Sequence, residues 1–280
     1  MVPVMPPDPA LPFDPVREES ELREYLGGSY DHERLQRYQE QLDSEFESGG
    51  DEAAFYRSSQ AYLYNLTAFA MTGTKLPYLT ELTERVSSGS RLLDYGCGIG
   101  SDGLILLEAG YQVEFADFDN PSIAYLRWRL AKRGVEAPVY DLDKGVPSGF
   151  DGAYAFDVIE HVEDPFGFLS EMERRAGLVV VNVLEPEPGD QSLHHELPVS
   201  DLVRHATRKR LVGYRILHER SHLLMYEPEA GDPIRRALGI AQVARQRSRR
   251  GVERALETTR RATKRVLQSA TGRRAWRRAS

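Results

Sequence analysis

From Asp31 onward, apolar side chains recur at helical spacing. Leu35, Tyr38, Leu42 and Phe46 follow one another at intervals of three and four until Ser48-Gly49-Gly50 stops the pattern. Phe55, Tyr62, Leu66 and Phe69 mark a second amphipathic helix, and Leu79, Leu82 and Val86 a third that ends at Ser87-Ser88-Gly89. Beyond Gly89 the rhythm changes to short apolar runs alternating with helix-length segments, the signature of βαβ units and a parallel sheet. Strands are predicted over Arg91 to Tyr95, Val113 to Asp117, Pro138 to Leu142, Ala153 to Val158 and Leu178 to Leu184. Asn120-Pro121 and Asp164-Pro165 each offer a capping side chain followed by proline at the first helical position. After a helix near Ser200 to Arg210, the runs Tyr214 to Leu217 and His222 to Tyr226 are joined by a connection too short for parallel strands, so they form an antiparallel hairpin.

These elements predict an α/β chain with a doubly wound, Rossmann-like sheet of five parallel strands plus a C-terminal antiparallel hairpin. The expected divisions are an irregular segment over residues 1–30, a helical lid or substrate region over 31–88, a nucleotide-binding core over 89–230 and a basic helical tail over 231–280. Asp8-Pro9, Leu11-Pro12 and Asp14-Pro15 make the segment up to Ser20 acidic and Pro-rich, so no element is assigned there.

Composition is that of an ordinary globular protein, with 41% hydrophobic and 28% charged residues in 280. The one cysteine, Cys97, excludes an internal disulfide and a cysteine-based zinc site. No apolar run reaches the roughly 18 residues of a membrane span, and the opening Met1-Val2-Pro3-Val4-Met5-Pro6-Pro7 lacks the features of a secretory signal. The expected compartment is therefore the cytoplasm. The net charge of -7 conceals a partition: Arg235 to Ser280 holds 15 Arg or Lys against Glu253 and Glu257, a net +13, so Met1 to Ile234 carries -20.

Candidate chemistry centres on Asp94-Tyr95-Gly96-Cys97-Gly98-Ile99-Gly100, where a strand passes through glycines into a helix. Glycine permits a tight turn and close approach of backbone to a ligand, and the helix behind it presents unpaired N–H groups. Gly98-x-Gly100-x-x-Gly103 also matches a dinucleotide fingerprint, so the loop alone leaves the cofactor open. Asp94, inside the strand end, would repel a pyrophosphate but can accept from an ammonium.

The segment Leu93 to Gly100 resembles the first motif of class I S-adenosylmethionine-dependent methyltransferases, closest to those acting on small molecules and sugars. The resemblance covers residues 91 to 226 and implies S-adenosyl-L-methionine as cofactor. It places Asp94, Gly96, Gly98 and Gly100 around the methionine moiety and Asp117 on the ribose, with Phe118 beside it. Asp141 and Leu142 fall on the adenine edge, and the Phe156 segment lines the methionine end. In open α/β sheets these strand ends converge outside the carboxyl edge. The expected reaction is transfer of a methyl group to an oxygen or nitrogen of a small-molecule acceptor, by alignment and exclusion of water.

His161 and His195 are the candidate general bases, because histidine titrates near neutral pH; His161 is equally compatible with beginning the helix beneath the site and orienting the loop. Asp157, Glu160, His161 and His195 resemble the acid-and-histidine set of methyltransferases that hold a divalent metal, but Asp157 stands where those families carry glutamate, so a metal is not favoured. Helices from Asp31 to Val86 would cover the site, with Phe55, Tyr56, Tyr62 and Tyr64 available for lining it or for the lid's own core. The tail suits a basic amphipathic helix with Val252, Leu256, Thr259, Ala262 and Val266 on one side. Its candidate partners are an anionic membrane surface, nucleic acid and the chain's own acidic body. The rival functions are an NAD-dependent oxidoreductase and a non-catalytic binding protein of the same fold.

Overall fold

The computed structural model describes residues 11–38, 61–185 and 195–251. Leu42, Phe46, Phe55, Tyr56 and the predicted tail stripe from Val252 onward lie outside the described residues.

Among the described residues, four α-helices precede the sheet: α1 (Pro15–Leu26), α2 (His32–Gln36), α3 (Ala61–Met71) and α4 (Leu76–Thr83). The sheet then alternates with helices as β1 (Arg91–Tyr95), α5 (Ser101–Glu108), β2 (Gln112–Asp117), α6 (Pro121–Arg133), β3 (Val139–Asp141), β4 (Phe150–Ala155), α7 (Pro165–Arg175) and β5 (Ala176–Leu184). After α8 (Val199–Arg208) the hairpin β6 (Lys209–Leu217) and β7 (Ser221–Ala230) closes the sheet. A further helix, α9, occupies residues 233–251. The order is β3-β2-β1-β4-β5-β7-β6. β1 to β5 pair in parallel, and β7 runs antiparallel to both β5 and β6. Strand order reverses between β1 and β4, the position where such sheets take ligands.

Both sheet faces are covered, which is why the strands read as continuous apolar runs. On one face Leu79 and Leu82 of α4, Leu104 of α5 and Leu126 of α6 meet Phe115 and Tyr154. On the other, Leu169 and Met172 of α7, Leu202 of α8 and Val243 of α9 meet Val179, Val181 and Tyr226. A third cluster joins Leu22, Leu35, Leu63 and Tyr64 of the N-terminal helices to Tyr125 of α6.

Asn120 and Asp164 cap as predicted, their side-chain oxygens accepting from Ile123 N at 3.0 Å and Gly167 N at 2.9 Å. The N-terminal segment differs from the sequence reading. Asp14 caps α1 by accepting from Val16 N and Arg17 N, with Pro15 in the first turn, so residues 15–26 are helical rather than irregular. The fourth strand also lies earlier than predicted, over Phe150–Ala155, and it ends there because Asp157 turns out of the sheet with φ 56°.

Candidate functional site

The turn after β1 is built from left-handed glycines. Gly96 and Gly98 have φ of 83° and 53°, a region that side chains with a Cβ rarely enter. Space is as restrictive as conformation: a Cβ on Gly96 would lie 2.6 Å from Val158, and one on Gly98 would lie 3.0 Å from Leu66 of α3. Helix α3 therefore rests directly on the glycine turn, and the β4 loop closes on its other side.

Around this turn the fold gathers carboxylates. Asp94 is buried at the end of β1, Asp102 sits in the first turn of α5, and Asp157 and Glu160 follow β4. Asp94 Oδ2, Asp157 Oδ2 and Glu160 Oε2 are buried without a hydrogen bond. Burial, then the charge of Asp102, pushes Asp94 up to about 8; burial, then Asp157, pushes Glu160 up. Unpaired buried carboxylates are costly and shift toward the neutral form for that reason.

A lysine answers them. Lys75, just before α4, donates from Nζ to the Phe156 carbonyl at 2.8 Å and lies 3.4 Å from Asp102 and 3.9 Å from Asp157. Burial alone would lower this ammonium's pKa, but Asp102, Asp157 and Asp94 outweigh it and raise it. Tyr62 of α3 faces the same group; burial and then Asp117 push its phenol up.

Asp117, at the end of β2, holds the turn from the side. Its Oδ2 accepts from Gly98 N and its Oδ1 from Phe118 N, both at 2.7 Å. Burial raises its carboxyl to about 6 against the pull of those two bonds. Phe118 is partly exposed at the rim. Asp141 pairs in register with Asp117 across β2 and β3; its carboxylate accepts from Asp143 N and meets Lys144 Nζ at 2.9 Å. Leu142 N donates to the Asp117 carbonyl. The Phe156 ring is core, packed between Tyr78 and Tyr154, so only its backbone carbonyl reaches the cleft.

His161 ends a short 3-10 turn, Ile159–His161, and His195 N donates to the Glu160 carbonyl at 2.7 Å. The two histidine-bearing segments therefore meet at Glu160. Among the described residues no group of three or more His, Cys, Asp or Glu is placed to hold a metal ion. Asp157 is engaged otherwise: Asn182 of β5 donates to its Oδ1 and accepts from its N–H, both at 2.7 Å.

Sequence reasoning misses Lys75, Asp102 and Asn182. The signals are present: Lys75 is the one basic residue between Arg57 and Arg85, Asp102 opens a helix within the glycine motif, and Asn182 interrupts the apolar run of β5.

A family model described as a methyltransferase domain matches residues 69–223, more than half of the chain. The chain belongs to that family, of the class I S-adenosylmethionine-dependent type. It is 28% identical over 127 residues to the ubiquinone biosynthesis O-methyltransferase of Bordetella pertussis, a match spanning 42% of this chain and 52% of the relative. The chain thus spans about half the length of the curated relatives it matches. Among solved structures it is similar to the magnesium protoporphyrin IX methyltransferase of Synechocystis PCC 6803, solved with bound SAM, at 15% identity and a TM-score of 0.48, covering 75% of this chain and 96% of that one. The mitomycin 7-O-methyltransferase MmcR gives 16% identity and a TM-score of 0.48, covering 78% and 74%. Among the described residues no helix is long and apolar enough to cross a membrane.

Proposed function

We propose that this protein transfers a methyl group from S-adenosyl-L-methionine to an oxygen or nitrogen of a small-molecule acceptor. The observation that carries the reading is the set of buried oxygens of Asp94, Asp157 and Glu160 that accept no hydrogen bond, beside a backbone-lined glycine turn. Such a cradle suits a ligand bearing both an ammonium and a sulfonium. It opposes a pyrophosphate, because Asp102 already occupies the helix N-terminus where a dinucleotide's phosphates would sit. The O-methylation named for the Bordetella relatives supports an oxygen acceptor.

When bound, the cofactor supplies an electrophilic methyl group. Asp94 would receive its ammonium, Gly96 and Gly98 would let it lie against the backbone, and Lys75 is placed for its carboxylate. Asp117 would take the ribose, Asp141 and Leu142 the adenine edge. The lid helices α3 and α4 exclude water, so alignment of acceptor and methyl supplies much of the rate. His161 or His195 would take the acceptor's proton.

Calorimetric titration with S-adenosylhomocysteine and with NAD tests the cofactor. Binding of the first alone is expected, and binding of NAD alone would overturn the reading. For the base, His161→Ala or His195→Ala is expected to lower turnover about 100- to 10,000-fold at unchanged cofactor affinity. Full rates from both variants would leave positioning as the mechanism. A chelator effect restored by divalent ion would instead assign the histidines to a metal.

A further inference from the structure

On the face of the sheet built from α7, α8 and α9, the last helix carries two dissimilar sides. Its inner side is fixed to the body. Val243 is buried in the core, Gly239 lets the backbone close onto Leu211, and Arg250 lies 3.6 Å from Glu219. Asp232 caps the start, accepting from Arg235 N at 2.9 Å. The helix is thereby held in one orientation.

Its outer side is largely apolar, interrupted by Arg245. Ile234, Leu238 and Ala241 follow one line at spacings of four and three, and Ala237 and Ala244 connect that line to Ile240 on its border. Ile234, Leu238 and Ile240 are 74%, 64% and 59% exposed, and with Val16 they are the most exposed large apolar side chains among the described residues. Large apolar groups kept in water on one helix side mark an interaction surface. Positive charge lies beside them: residues 233–251 contain six arginines and no acidic residue, and although Arg235 pairs with Asp232 and Arg250 lies against Glu219, Arg236 and Arg245 are exposed beside the apolar side chains.

From this arrangement we infer that the outer side of α9 is a docking surface for an anionic lipid bilayer, with Ile234, Leu238 and Ile240 entering the headgroup boundary and the neighbouring arginines meeting lipid phosphates. A helix lying in the interface plane needs both elements, an apolar face and cationic borders. Nucleic acid would engage the arginines but gains nothing from aliphatic side chains, and residues 233–251 contain no aromatic residue for base stacking. A second copy of the chain would have to bring the exposed arginines beside the patch against their own counterparts. The chain's own acidic body is no rival occupant, because the inner side of the helix is the side fixed to it.

The test is sedimentation of the full chain with vesicles of phosphatidylcholine alone and with vesicles of phosphatidylcholine mixed with phosphatidylglycerol. Wild type is expected to sediment with the anionic vesicles at least about tenfold more strongly than with the neutral ones, and to be released at high salt. The triple variant I234E/L238E/I240E is expected to lose vesicle binding at least about tenfold while keeping its melting temperature, since all three side chains are exposed. R236E/R245E should lose binding comparably, which separates lipid charge from apolar stickiness. Absence of binding to anionic vesicles, or undiminished binding by the triple variant, overturns the inference. So does tighter binding to duplex DNA that the triple variant retains, or a dimer dispersed by L238E with no vesicle binding.

Discussion

Two clusters of buried acids lie on either side of the same glycine turn, and they are treated in opposite ways. Behind the turn, Glu18 and Glu21 of α1 meet Arg129 and Arg133 of α6. Arg129, fully buried, donates to Glu18, Glu21, the Ile99 carbonyl and Ser101 Oγ, while Arg133 grips Glu21 through two nitrogens. Burial would raise Glu21, but Arg133 and Arg129 overcome it and hold its carboxyl below the ordinary range. In front of the turn, Asp94, Asp102, Asp157 and Glu160 gather around Lys75, and Asp94 and Glu160 are pushed up instead. The first cluster is complete in itself and fastens the N-terminal helix to the core. The second leaves three carboxylate oxygens without a hydrogen bond, which the proposed cationic ligand would complete.

The strongest test of that contrast is Arg129→Met. It leaves buried carboxylates uncompensated and is expected to cost about 3–5 kcal/mol in chemical denaturation; a loss under about 1 kcal/mol would mean the rear cluster is not what anchors α1. Next in size, Asp117→Ala removes an acceptor worth about 1.5–3 kcal/mol, so S-adenosylhomocysteine should bind roughly 10- to 150-fold more weakly by calorimetry. Unchanged affinity would withdraw the ribose assignment.

Smaller again is the pH dependence of cofactor affinity. Asp117 at about 6 and Asp94 at about 8 are partly protonated near neutral pH, and the proposed ligand would favour their ionised forms. Affinity should therefore rise between about pH 6 and 8, by up to about tenfold per pH unit through Asp94 with Asp117 adding only near pH 6, and protons are released on binding. Titration in buffers of different ionisation enthalpy measures that release, and a fall in affinity over the interval would contradict the sign. Last, the position of that profile, apart from the affinity lost with the cofactor's carboxylate, is tested by Lys75→Met. Removing this cation makes the carboxylates harder to ionise, so the midpoint of that pH profile should move upward; a downward move would show that Lys75 opposes their ionisation.

The sheet is legible in the sequence because parallel strands covered on both faces must be apolar throughout, and β1 to β5 and the hairpin follow from runs and connection lengths. The front carboxylates are legible in part, since Asp94 stands at a strand end and Asp157 and Glu160 in the acidic segment after the fourth strand, while Asp102 passes for a helix-start residue. The helix α1 is not, although Asp14-Pro15 carries the same cap as Asn120-Pro121 and Asp164-Pro165. Its buried stripe contains Glu18 and Glu21, which read as solvated until Arg129, distant along the chain, is brought against them. Lys75 is hidden for the same reason: its partners come from β1, α5 and the β4 loop, and no local period announces a pairing made by topology.

Asn182 has a consequence for which sequences this fold can tolerate. One amide pairs with both the N–H and one carboxylate oxygen of left-handed Asp157 while its Nδ2 also reaches Ser221 Oγ on β7 at 3.2 Å. An aspartate at 182 would set like charge against Asp157, and a serine could not span the gap, so the position admits only an amide of that length. Drift in the hairpin and drift in the cleft are thus constrained together, and a change at either end must be matched across β5.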